Sequence, residues 1–113
     1  MSRVTTTTWA PSAERDVGRI FTYFEQHSVV GARTMVRRIV RAVGLVAKQP
    51  EIGRVAEDIE PVGRFRSVVA APYRVIYRFD EGEVYVLRVW DTRRDPASLQ
   101  VLDDPADENE SEP

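Results

Sequence analysis

Two periodicities divide the chain. Ala13, Val17, Ile20, Phe21 and Phe24 recur at helical spacing, the stripe left when one face of a helix packs on a core. Ala32, Met35, Val36, Ile39, Val43 and Val46 form a second stripe, with Arg33, Arg37, Arg38 and Arg41 largely off it. Ala10-Pro11 opens the first helix, which is expected to run to about His27, and Ser28 suits the cap of the second, which stops at Gln49-Pro50. So short a connection predicts an antiparallel helical hairpin. Before it, the β-branched run Val4 to Trp9 predicts a strand. After a loop punctuated by Gly53, Pro61 and Gly63 the period becomes two, and Arg64 to Val69, Tyr73 to Phe79 and Val84 to Trp90 predict three strands. The last two are joined by the turn Asp80-Glu81-Gly82-Glu83 into an antiparallel hairpin. Asp95-Pro96 starts a short terminal helix over Ala97 to Leu102. The expected class is α+β in the order β-α-α-β-β-β, with the helical hairpin packed on one face of a mainly antiparallel four-stranded sheet.

With 113 residues there is room for one core, assigned to 1–102, ahead of a tail over 103–113 that is too polar and proline-broken to pack. The tail holds six carboxylates, Asp103, Asp104, Asp107, Glu108, Glu110 and Glu112, and leaves the rest with 16 basic against 12 acidic residues. All but one of the basic residues are arginine, Lys48 being the exception. No run approaches a membrane-spanning length and the N-terminus lacks an apolar signal core, so a cytoplasmic protein is expected. The absence of cysteine excludes disulfides, thiolate metal sites and cysteine nucleophiles. No glycine-rich nucleotide loop, HExxH or GxSxG motif occurs, and neither a metal nor a cofactor is expected. Glu57, Asp58 and Glu60 read as a solvated acidic loop, and the single histidine, His27, as a surface or capping residue.

Strand alternation sorts the side chains further. Tyr73, Val75, Tyr77 and Phe79 share one face and Arg74, Ile76 and Arg78 the other; Phe65, Ser67 and Val69 oppose Arg64, Arg66 and Val68; Tyr85, Leu87 and Val89 oppose Val84, Val86, Arg88 and Trp90. With the helices on the aromatic face, Arg64, Arg66, Arg74, Arg78 and Arg88 are expected to collect on an uncovered, basic face, with Trp90 at its rim. Five like charges so placed persist most easily beside an acidic partner or polyanion; on the other reading they are solvated arginines whose stems cover Val68, Ile76 and Val86 and which pair with surface carboxylates. The tail reads as a solubilising segment, or, on a second reading, as a shield for that basic face.

Read as an ordered series, Trp9-Ala10-Pro11-Ser12-Ala13-Glu14-Arg15-Asp16, Pro50-Glu51-Ile52-Gly53-Arg54, Gly63-Arg64-Phe65-Arg66, Tyr73-Arg74-Val75-Ile76-Tyr77-Arg78 and Val86-Leu87-Arg88-Val89-Trp90-Asp91-Thr92-Arg93-Arg94-Asp95-Pro96 resemble the RelE/ParE superfamily of small bacterial toxins, which includes proteins described as plasmid stabilisation systems. The resemblance covers about residues 5–102 and implies a helical hairpin against a curved antiparallel sheet. It also implies a type II toxin that halts growth when free and is silenced by a cognate antitoxin. Its target would be DNA gyrase, as for ParE-like members, or messenger RNA on the ribosome, as for RelE-like members.

Metal-independent RNA cleavage needs proton-transfer groups beside the cations that hold phosphate, and arginine supplies only the latter. Tyr73, Tyr77 and Tyr85 are expected on the face opposite Arg74 and Arg88. RelE-like ribonucleases carry lysines on the strand matching Arg64 to Val69 and a tyrosine in the terminal segment; here stand Arg66 without a lysine, and Ser98 and Leu99. A ribonuclease would have to use Arg66, Arg74 and Arg93. The resemblance therefore points to a ParE-like binder of gyrase rather than an enzyme, with a ribosome-dependent endoribonuclease as the alternative and an antitoxin-binding module without toxicity as the second. The residues expected to bind antitoxin or target are Arg64, Arg66, Arg74, Arg78, Arg88, Trp90, Arg93 and Arg94.

Overall fold

Proline at its first position starts α1 (Pro11–Glu25), and Ser28 starts α2 (Val29–Lys48) by accepting a hydrogen bond from the Gly31 N–H at 2.9 Å. The computed structural model describes residues 5–94, 98–101 and 103–104. Five strands complete it: β1 (Thr6–Trp9), β2 (Arg54–Val55), β3 (Arg66–Ala70), β4 (Tyr73–Asp80) and β5 (Glu83–Asp91). They lie in the order β1-β5-β4-β3-β2, with β1 parallel to β5 and every other pair antiparallel. The helical hairpin is the crossover that makes the parallel pairing reachable. The fold is the expected α+β arrangement with one strand more: two residues are too few to show a period, so Arg54–Val55 declares itself only through its pairing with Ser67 and Arg66.

The β4–β5 turn places Glu81 and Gly82 at φ 49° and 78°, the left-handed pair that matches the twist of a tight hairpin. Gly53 is fixed by crowding instead, since a Cβ there would lie 2.5 Å from the Tyr77 hydroxyl and 2.8 Å from the Ser67 carbonyl. The vacant space lets the Gly53 N–H donate to Tyr77 Oη at 2.9 Å while that hydroxyl donates to the Pro50 carbonyl at 2.6 Å.

One face of the sheet meets the helices. Ala13 and Ile20 of α1 and Met35, Ile39, Val43 and Val46 of α2 pack on Ala70, Tyr73, Val75, Tyr77, Val84, Val86 and Val89. The opposite face is also covered. Phe65, Ile76, Leu87 and Trp90 lie beneath Ala56 and Ile59 of the loop after β2 and Leu99 of the terminal segment, with Tyr85 and Val101 at the edge. Of the terminal helix expected over 97–102, residues 98–101 are described and carry no α-helix, and 97 and 102 lie outside the described residues, as does the tail from 105 to 113. Asp103 and Asp104, counted with that tail in the sequence, are part of the fold. Asp103 accepts hydrogen bonds from the Ser12 N–H, at 2.9 Å, and from the Ser12 hydroxyl, which ties the terminal segment to the start of α1.

Candidate functional site

Arg64, Arg74, Arg78 and Arg88 do reach the face away from the helices, but that face is neither bare nor uncompensated. Arg78 is 7% exposed and is held by Asp104, which is 0% exposed: Nε lies 3.1 Å from both carboxylate oxygens and Nη2 2.9 Å from Oδ1. Arg64 Nη2 shares the same carboxylate at 3.3 Å. Arg74 forks onto Asp58 at 2.6 and 3.0 Å. Arg88 forks onto Asp16 at 2.8 and 3.1 Å and donates to the Gln100 carbonyl at 2.8 Å. Asp16 also accepts the Val89 N–H at 2.9 Å, so one carboxylate of α1 fixes both a side chain and the backbone of β5. The bidentate geometry is the strong form of such a pair. The guanidinium planes meanwhile cover rings, Arg78 over Tyr85 with 4.3 Å to the centroid, Arg88 and Arg94 over Trp90 at 5.3 and 4.5 Å, and Arg64 over Phe65 at 5.7 Å.

The segment from Phe65 through β3 and the first half of β5 is turned the other way from the sequence reading. Arg66 pairs across from Tyr77 and so belongs to the helix-covered side, where Nη1 donates to the Gly53 carbonyl at 2.8 Å. Phe65, set among the helix-facing residues by alternation, lies on the arginine side. Strand-to-strand register decides which set faces which layer, and a slip of one residue exchanges them. In β5 the partner of Ile76 is Arg88 and that of Tyr77 is Val86, so Leu87 is an extra residue, a β-bulge. It resets the alternation: Val84, Val86 and Val89 face the helices, and Tyr85, Leu87 and Trp90 the other side. Tyr85 is therefore among the arginines, unlike Tyr73 and Tyr77. Trp90 is 3% exposed, and its indole N–H is buried without an acceptor among the described residues.

The residues that the sequence reading missed are the acids. Asp16 carried a legible signal, an aspartate between Ala13 and Ile20 on the apolar stripe of α1, and it is 7% exposed. Asp58 was grouped with a solvated loop and instead meets Arg74, whose hydrogen bond holds its carboxyl below the ordinary value of 3.8 despite the opposing effect of burial. Arg93, 69% exposed at its side chain, forks onto Asp91 at 2.9 and 2.7 Å and lowers that carboxyl too. Burial raises both Tyr73 and Tyr77 above the ordinary phenol value of 10.0, so neither is an anion at neutral pH. Among the described residues no group of three or more His, Cys, Asp or Glu side chains is placed to hold a metal ion.

The described geometry gives four guanidiniums a structural task on the second face and leaves Arg66 and Arg94 without an ion pair among the described residues, Arg94 acting on Asp91 only at longer range. Compared with curated proteins, the chain matches none. A family described as the ParE toxin of the type II toxin-antitoxin system, parDE, matches residues 8–96. Among solved structures, the chromosomal ParDE toxin-antitoxin system of P. aeruginosa contains a chain that is 19% identical, with a TM-score of 0.66 over 78% of this chain and 96% of that one. The toxin-antitoxin complex RelBE2 of Mycobacterium tuberculosis gives 20% identity and 0.60 over 79% and 99%, and the YoeB dimer of Staphylococcus aureus 17% and 0.55 over 78% and 97%.

Proposed function

The chain belongs to the ParE toxin family of type II toxin-antitoxin systems, and from that premise we propose that it arrests growth by binding DNA gyrase, without cutting RNA, until a cognate antitoxin covers it. Relatives of the same fold solved as ParDE and RelBE2 toxin-antitoxin assemblies support the antitoxin partner. The observation that carries the choice of binder over nuclease is the state of Arg74. Of the three arginines available to a ribonuclease, it alone lies on the second face, and its fork is committed to Asp58. Asp58 is the carboxylate at hand to serve as a base, and Arg74 depresses its proton affinity, which makes it poor at taking a proton from a 2′-hydroxyl at neutral pH. Arg66 is turned to the helix side and Arg93 is closed on Asp91. Tyr77 spends its hydroxyl on the backbone at Pro50 and Gly53.

No helix of the described residues is long and apolar enough to cross a membrane, which is compatible with a cytoplasmic target. The test is to express the chain alone and with the product of a neighbouring small reading frame, then to titrate the purified protein into a gyrase supercoiling reaction and into a translating extract. Loss of supercoiling, relieved by the neighbour, is the expected result. Codon-positioned cuts in messenger RNA that disappear in Arg74→Ala would establish the nuclease, and inactivity in both assays with normal growth would leave an antitoxin-binding module.

A further inference from the structure

Helix α1 turns a polar surface outward, away from both cores. Arg15, Arg19 and Tyr23 follow one another at intervals of four residues and so line one face of the helix. They border a groove of about 580 Å³ with Gly18, Thr22 and Gln26 between them. Arg15 and Arg19 are like charges on successive turns, an arrangement that is unfavourable in an isolated helix. Neither meets an acid among the described residues.

Where α1 passes the end of β5, the groove deepens into a cavity of about 160 Å³ to which Arg19, Tyr23, Tyr73 and Arg94 contribute. Two aspartates also line it, and both are already spent: Asp16 gives both oxygens to Arg88, and Asp91 both to Arg93. Arg94 stacks on Trp90 and makes no ion pair or side-chain hydrogen bond among the described residues, although its charge, with that of Arg93, favours the carboxylate form of nearby Asp91. Tyr73 is 5% exposed, yet its hydroxyl has no hydrogen-bond partner among the described residues. Burial keeps that phenol protonated, hence a donor, at neutral pH. Arg19, Arg94 and the Tyr73 hydroxyl thus bring donors to one cavity whose two carboxylates already accept from other arginines.

We propose that this cavity receives a side-chain carboxylate from an acidic segment of a protein partner, with Arg19 and Arg94 as its cationic walls and the Tyr73 hydroxyl as a third donor. The size fits: about 160 Å³ has room for a carboxyl group and its methylenes. The walls fit as well, because Ile20, Val89 and the ring of Tyr23 supply apolar surface for the methylenes. A phosphodiester chain would bring a second and third charge against the rim carboxylates of Asp16 and Asp91, which a single carboxylate avoids. The inference rests on the reading that the chain acts through protein partners, and it is independent of whether gyrase is the target.

The test is fluorescence anisotropy of a fluorescein-labelled peptide of alternating Glu and Ala, titrated with the full chain at low and at physiological salt. Arg19→Gln and Arg94→Gln are each expected to weaken binding about tenfold, as loss of a charge-assisted hydrogen bond does, and Tyr73→Phe about threefold. Arg33→Gln, the same change of charge on the exposed surface of α2, is expected to weaken it less than twofold. Equal losses in Arg19→Gln and Arg33→Gln would reduce the effect to diffuse charge and overturn the site, as would absence of binding. Tighter, Arg19-dependent binding of a single-stranded RNA oligonucleotide would overturn the carboxylate. A chain ending at Asp104 should bind the peptide unchanged, whereas a tenfold gain would hand the cavity to the protein's own acidic tail. Growth arrest and supercoiling assays on the unaltered chain are not touched by any of these results, so failure here leaves the toxin reading standing.

Discussion

The two faces of the sheet are closed by different means. On the helix side the contact is aliphatic and aromatic, contributed by long stripes whose shape does the sealing. On the other side a smaller apolar cluster is threaded with three carboxylate–guanidinium sets: Asp104 with Arg78 and Arg64, Asp58 with Arg74, and Asp16 with Arg88. Strand alternation forced those arginines onto a face that the chain then covered with only a loop and a terminal segment, and each guanidinium under the cover required an acid. A charged strand face is thus no evidence of an open binding surface. Cations that form no ion pair among the described residues lie elsewhere, as at Arg15 and Arg19 on the outer face of α1.

This contrast can be broken by mutation. Asp104→Ala removes the counter-charge of a guanidinium that is 7% exposed, and a loss of about 3–5 kcal/mol in unfolding free energy is expected from denaturant titration. Ile39→Ala, at a fully buried position on the helix side, is expected to cost about 2–5 kcal/mol by the same measurement. Salt separates the two: the cost of Ile39→Ala should stay constant between low and high ionic strength, whereas that of Asp104→Ala should shift with it. Tyr77→Phe leaves the Gly53 N–H and the Pro50 carbonyl without their partner, an expected loss of about 1–3 kcal/mol.

The smallest effect concerns acid. Asp58 has a folded-state affinity for protons below its ordinary value of 3.8, so its pair with Arg74 favours the fold at higher pH and loses that contribution as pH falls from about that value through the depressed one. Glu83, half-buried and accepting hydrogen bonds from the hydroxyls of Thr6 and Thr8 on β1, is likewise held below its ordinary 4.5 and acts in the same direction. Thermal melts between pH 5 and pH 2 should show a decline that is shallower in Arg74→Gln, which lacks the favoured charge on Asp58.

The layers were legible in the sequence because their signals are local. Helical spacing located both helices, Ser28 and Pro11 their starts, and period-two runs with a left-handed turn at Glu81-Gly82 the central hairpin. The register between strands was not, because nothing near Arg66 in sequence states that Tyr77 is its neighbour, and the bulge at Leu87 keeps Arg88, Val89 and Trp90 on their expected faces while exchanging those of Val84, Tyr85, Val86 and Leu87. The acids were hidden for the same reason. Asp104 is 26 residues from Arg78 and Asp16 is 72 from Arg88, and a run of carboxylates at a chain end looks like a tail until two of them are found folded under it.

A double-mutant cycle at Arg78 and Asp104, read as unfolding free energy, tests the sealing of the second face most directly. If the second face is sealed by mutual compensation, Arg78→Met and Asp104→Leu will each be costly alone, and together will cost less than either, because two apolar side chains can take the place of a buried pair. Costs that simply add would contradict it, and would mean that Arg78 is held there for something outside the chain.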